Sequence, residues 1–177
     1  RAFDLAELAS INFEMANFEF TTFKTRPKEG FDVVEEILLY GKSSLSIEKA
    51  LKKGQEIGRA VNACRTLANT PGGDMTPTLL AKAARDAVKG LPVKVTLLGE
   101  KEMKKLGMGA LLGVAKGSTE KPTFTILEYR PSTNARGKNN NGPIVFAGKG
   151  VTFDSGGLNL KPSTGIYEMH MDMSGAA

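Results

Sequence analysis

The sequence predicts an α/β fold, a mixed or largely parallel sheet flanked by helices, and two observations carry that expectation. From residue 74 onward helical and strand patterns alternate, as "DMTPTLLAKAARDAVKG", "LPVKVTLLG", "EKEMKKLG", "TFTILEYR" and "GPIVFAG" follow one another. The last of these apolar runs leads into a glycine-rich segment carrying Lys149, Asp154, Lys161 and Asp172. Sheets of this class present their functional residues just past the C-terminal ends of strands.

Taken in order, Leu8, Ile11, Met15 and Phe18 fall at steps of three and four, which predicts an amphipathic helix running toward Phe23. The phenylalanines at 13, 18 and 20 leave a strand open as the alternative. "TRPKEG" reads as a turn and "FDVVEEILLYG" as a strand closed by glycine. Ile47, Leu51, Gly54, Ile57, Val61, Cys64 and Ala68 then hold a helical period behind a cap at Ser44 or Ser46, until Pro71, Gly72 and Gly73 end it. Such a length suits an element that joins two parts of a protein. A second helix has Thr76 at its N-cap and Pro77 at the first helical position, where the missing N–H costs nothing, with Gly90 at its exit. "PSTNARGKNNNG" reads as an exposed, mobile loop between strands, and no internal repeat is present.

Composition narrows the function classes. With 41% hydrophobic and 24% charged residues over 177 positions, the chain is globular rather than disordered. No apolar run reaches membrane-spanning length and "RAFDLAELAS" lacks the layout of a signal peptide, so a cytoplasmic location without membrane association is expected. Cys64, the single cysteine, sits on a helical pattern and reads as a buried reduced thiol without chemistry. A net charge of +5 keeps nucleic acid in view as a partner. The charges nevertheless alternate in "IEKALKKGQE" and "GEKEMKKLG", as solvated helix faces do, and the aromatics cluster in "NFEMANFEF" away from basic residues. A nucleic-acid-binding or scaffolding module that uses the "NARGKNNNG" loop is therefore the alternative reading, not indicated by charge patterning.

The segment "GKGVTFDSGGLNLKPSTGIYEMHMDMSGAA" carries the chemistry. It is not a phosphate loop: Gly142 lies one residue too far from Gly148, and Gly150 rather than Ser or Thr follows Lys149. A dinucleotide fingerprint fails as well, because its third glycine would fall at Phe153. A metal centre remains. Asp154 and Asp172 supply carboxylate oxygens, Lys149 could join them as a neutral amine, and Gly148, Gly150, Gly156 and Gly157 permit tight turns. On the residues alone this is a partial shell, and each residue has a plainer reading. Asp154 forms turns, Asp172 caps a helix starting at "MSGAA", and Lys149 and Lys161 are surface charges. His170 invites a role as ligand, yet residues two apart do not share a helix face and would have to meet Asp172 in a loop.

The spacing of Lys149, Asp154, Lys161 and Asp172 within that glycine pattern closely resembles the signature of the leucyl (cytosol) aminopeptidase family of two-metal peptidases. "NTPGGDMTPTLLAKAA" is similar to the start of the family's catalytic domain, and the long helix before it to the helix joining its two domains. The resemblance implies part of a two-domain metallopeptidase. Residues 1–42 would be the end of the first domain, 43–71 the connecting helix, and 72–177 the first part of the catalytic domain. It also implies two divalent ions, zinc or manganese with magnesium a third candidate. Asp154 would bridge them, and Lys149 and Asp172 would complete part of the shell of one. Lys161 would be catalytic, its ammonium steadying charge on the scissile carbonyl oxygen as metal-activated water attacks. Asp154 and Lys161 would thus also face the substrate, with Met169 lining the pocket for its first side chain, while His170 matches no ligand position. The implied substrate is a peptide with a free, apolar N-terminal residue, and the implied assembly a homo-hexamer. The family's further ligand motif, of the form N-T-D-A-E-G-R, does not occur among the 177 residues. An internal piece, inactive by itself, is the resulting expectation.

Overall fold

The structure, a computed structural model, describes residues 2–41, 44–129 and 142–177. It divides into two compact units, one ending at Thr66 and one running from Leu67 to Ala177.

The first unit is built on helix α1, Ala2–Ala16, and on most of helix α2, Leu45–Asn69. Ser44 caps α2, its hydroxyl accepting from the Ile47 N–H at 3.3 Å. The two helices meet where α2 has no side chains: Gly54 and Gly58 face α1 and are buried, as is Ala50. Ser10, the buried residue of α1, donates to the Leu51 carbonyl at 2.8 Å. The helix α1 stops at Ala16, short of the expected Phe23, and α2 supplies the reason. Its side chains take the last carbonyls of α1: Asn62 donates to the Glu14 oxygen at 2.7 Å and Arg65 to that of Met15 at 2.8 Å. The Arg65 guanidinium also lies 4.1 Å from the centroid of the Phe18 ring.

The strand expected over 31–41 does not form. A strand needs a backbone neighbour, and Val34 has a side chain instead. Its N–H donates to Asn17 Oδ1 and its carbonyl accepts from Asn17 Nδ2, both at 2.8 Å. Val33, Leu38 and Tyr40 are left exposed.

In the second unit helix α3, Pro77–Ala87, begins as expected, the Thr76 hydroxyl accepting from the Leu79 N–H at 3.3 Å. Gly90 leaves it with φ of +83°. Strand β1, Val93–Leu98, is followed by helices α4, Glu100–Lys105, and α5, Gly109–Ala115, and by strand β2, Phe124–Tyr129. The glycines at 107, 109, 113 and 117 hide the periodicity of α5 from a sequence reading. The two strands pair with each other, antiparallel, from Val93 opposite Tyr129 to Leu98 opposite Phe124. Of the expected mixed or largely parallel sheet, the largely parallel arm is corrected: among the described residues the one pairing is antiparallel. The helices between them have six and seven residues, about 9–10 Å each, so no single helix runs back along a six-residue strand of about 20 Å as in a βαβ unit, although the connection as a whole is long enough for either direction.

The apolar run at 142–148 is likewise irregular rather than a strand, with Ile144, Val145 and Phe146 exposed. Among the described residues β1 and β2 offer pairing only to each other. The anticipated loop at 131–141 lies outside the described residues. Met75, Ala81, Met103 and Met173 form the buried centre of this unit. The chain ends with the four-residue helix α6, Ser163–Ile166, and a 3-10 turn, Met169–Met171. "MSGAA" continues as turns, with Ser174 and Ala176 each donating three residues back at 2.9 Å, and not as the helix expected there. Among the described residues no helix is long and apolar enough to cross a membrane.

Candidate metal centre

The charged residues named from the sequence converge as two lysine–aspartate pairs. Lys149 and Asp172 stand 23 positions apart in the chain, yet the Lys149 ammonium donates to Asp172 Oδ2. What brings them together is a backbone crossing. Residues 148–150 run against Gly175 and Ala176, so closely that a methyl group at Gly148 would stand 2.6 Å from the Gly175 carbonyl carbon and 2.8 Å from the Ala176 Cα. Met173, fully buried, anchors the Asp172 side of that crossing in the core.

The second pair closes a shorter loop. Lys161 Nζ lies 3.3 Å from Asp154 Oδ2, and both side chains are about one-third exposed, at 32% and 35%. Gly156 and Gly157, at φ of +89° and +70°, turn the chain back between them, and the Lys161 N–H donates to the Ser155 carbonyl at 2.9 Å. The Gly156 N–H donates to Asp154 Oδ1 at 2.9 Å. That hydrogen bond first, then the one from Lys161, holds the Asp154 carboxyl below its ordinary value, with the charges of Lys161 and Lys149 adding to the effect.

Met169 links the two pairs through the backbone. Its carbonyl accepts from the Asp154 N–H and from the Asp172 N–H, each at 3.4 Å. The family resemblance pointed to this residue for its side chain, which is half-buried; the hub formed by its carbonyl has no signature in residue type. Behind Asp154, Phe153 packs on Gly72, where a methyl group would meet the ring at 2.7 Å. His170 stands in the 3-10 turn. Among the described residues no three histidine, cysteine, aspartate or glutamate side chains gather as a metal cluster.

The donor set agrees with a divalent cation in kind. Carboxylate oxygens and an amine nitrogen suit magnesium, manganese and zinc. Asp154, Asp172 and Lys149 supply three protein donors, fewer than the four of a closed zinc shell or the six of an octahedral one. The residues present fit part of such a shell.

Comparison with known proteins gives the family of the chain. The catalytic-domain model of the cytosol aminopeptidase family matches residues 62–177, a stretch that holds both ion pairs and Met169. The chain belongs to the cytosol aminopeptidase family. It is 45% identical over 158 residues to a probable cytosol aminopeptidase of Chlorobaculum tepidum, covering 88% of this chain and 30% of that protein. A Geobacter protein of the same description is 38% identical over 173 residues, covering 97% and 34%. The chain thus spans about a third of the length of these relatives. Among solved structures, the bottromycin maturation enzyme BotP in complex with Mn superposes with a TM-score of 0.77 at 26% identity, over 97% of this chain and 33% of that one. The cytosol aminopeptidase of Coxiella burnetii shares the fold, with a TM-score of 0.71 at 24% identity over 98% and 34%.

Proposed function

We propose that this chain carries part of the active site of a metal-dependent aminopeptidase that releases apolar, leucine-like N-terminal residues from peptides. The observation that carries the reading is the meeting of Lys149 with Asp172 and of Lys161 with Asp154 on backbone that Met169 ties together. Exposed lysine–carboxylate pairs contribute only about 0–1 kcal/mol each and occur elsewhere in the chain, so what supports the reading is the meeting of two of them on one glycine-rich segment. Family membership and the manganese complex of BotP support the same reading.

In this proposal Asp154, Asp172 and the neutral amine of Lys149 would hold divalent cations, two of them with Asp154 shared, zinc or manganese before magnesium. When bound, such ions supply Lewis acidity and a nucleophilic water at neutral pH. The chain's own residues do the rest. The Lys161 ammonium, held beside Asp154, stabilises negative charge on the carbonyl oxygen of the scissile peptide as that charge develops. Asp154 orients that ammonium, and the half-buried Met169 offers an apolar surface to the first side chain of the substrate. The intact protein is proposed to assemble as a homo-hexamer, and the 177 residues taken alone to lack turnover.

Hydrolysis of a leucine anilide by the intact protein, with and without Mn²⁺, is the test. Activity that requires the ion, and that falls by about 10²–10³ in kcat with KM little changed in Lys161→Ala, is the expected result. Metal-independent turnover, or a Lys161→Ala variant as fast as the parent, would overturn the reading.

A further inference from the structure

We propose that Gly148 and Gly156 are positioning residues, each responsible for one of the two lysine–aspartate pairs; the functional meaning of this rests on the reading above, its geometry does not. Gly148 has no positive φ, so its requirement is space. Backbone atoms of Gly175 and Ala176 fill the volume a side chain would take, and backbone cannot swing aside as a flexible side chain can. A methyl group at position 148 pushes the two segments of the crossing apart and draws Lys149 away from Asp172.

Gly156 acts on the other pair in two ways. At φ of +89° a side chain is strained, and a methyl group there would meet the Lys161 nitrogen at 3.0 Å and Cγ at 3.1 Å, besides the Asn159 carbonyl. Substitution therefore opens the 154–161 loop and moves Lys161 off Asp154. The neighbouring Gly157 has a positive φ but meets nothing within 4 Å, so its part is confined to the turn. The site consequently has two separately adjustable halves, with Met169 as their shared backbone anchor.

The experiment is lysine reactivity in the intact, metal-free protein, read as the rate of acetylation of each lysine by acetic anhydride in a mass spectrometer. An amine released from an exposed ion pair reacts faster by about threefold, the factor such a pair is worth. Gly148→Ala is expected to speed Lys149 and leave Lys161 unchanged, and Gly156→Ala to do the reverse. Gly73→Ala, where a methyl group meets nothing within 4 Å, is expected to change neither. Should Gly148→Ala fail to fold, Gly175→Ala probes the same crossing more gently, its methyl group 3.1 Å from the Lys149 nitrogen. Unchanged rates, or both lysines rising together in each variant, overturn the proposal. A parallel Mn²⁺ titration is expected to lose about 10- to 100-fold in affinity in both variants, as supporting residues around metal ligands do. A parent protein that binds no Mn²⁺ refutes the metal centre, while the lysine pattern still decides the positioning roles.

Discussion

At Asp154 two donors of different kinds meet one carboxylate: a backbone N–H fixed by the turn at Gly156 and an ammonium on the flexible stem of Lys161. Both favour the charged form, so the folded-state pKa lies below the ordinary 3.8. The sign of the linkage follows. A carboxyl depressed on folding adds stability that is present above its unfolded pKa and is lost as pH falls through the folded value. Carbon NMR titration of the metal-free protein is expected to place the Asp154 midpoint below 3.8, and to move it upward in Lys161→Ala; a midpoint unmoved by that change would refute the Lys161 contact. Asp154 and Lys161 stand out in the sequence only through the resemblance of their spacing among glycines to the cytosol aminopeptidase signature; by residue type alone they read as a turn former and a surface charge. Their pairing was not legible. It depends on two positive φ angles and on the Met169 carbonyl, and backbone path through a glycine-rich segment has no periodicity to read.

Between elements, close approach replaces side-chain packing. On α2 a methyl group at Gly54 would stand 2.5 Å from the Glu7 carbonyl oxygen and 2.7 Å from Ser10 Cβ. Alanine gains about 1 kcal/mol of helix propensity over glycine. Overpacking of a tight contact costs about 1–3 kcal/mol, so the clash decides the sign. Gly54→Ala is expected to lower stability by about 1 kcal/mol in a urea melt, and a stabilised variant would show that α1 and α2 are not held this closely. Thr76→Ala removes the acceptor that meets the Leu79 N–H and is expected to cost about 1 kcal/mol in the same melt. The helices α2 and α3 were legible from period and caps, both local signals. The runs at 31–41 and 142–148 carry strand-like composition without forming strands, because a strand is completed by a neighbour and not by its own residues. Val34 shows the alternative directly, with both of its backbone groups on the Asn17 amide. Asn17→Ala is expected to speed hydrogen exchange at the Val34 amide while leaving that of α1 as it is; protection retained at Val34 would mean another acceptor holds it.

For the molecule as a whole, membership of the cytosol aminopeptidase family and the geometry of residues 148–172 converge on one account. Within residues 149–172 two lysines and two aspartates meet as matched pairs, where deprotonation of one amine would turn an ion pair into a pair of metal donors. The measurement that bears most directly on that account is a calorimetric titration of the intact, metal-free protein with Mn²⁺, beside the same titration of Asp154→Ala. The account predicts saturable binding in the parent and an affinity at least about 100-fold weaker in the variant, since the carboxylate proposed to be shared between two ions is gone. Equal affinity in the two proteins would contradict it.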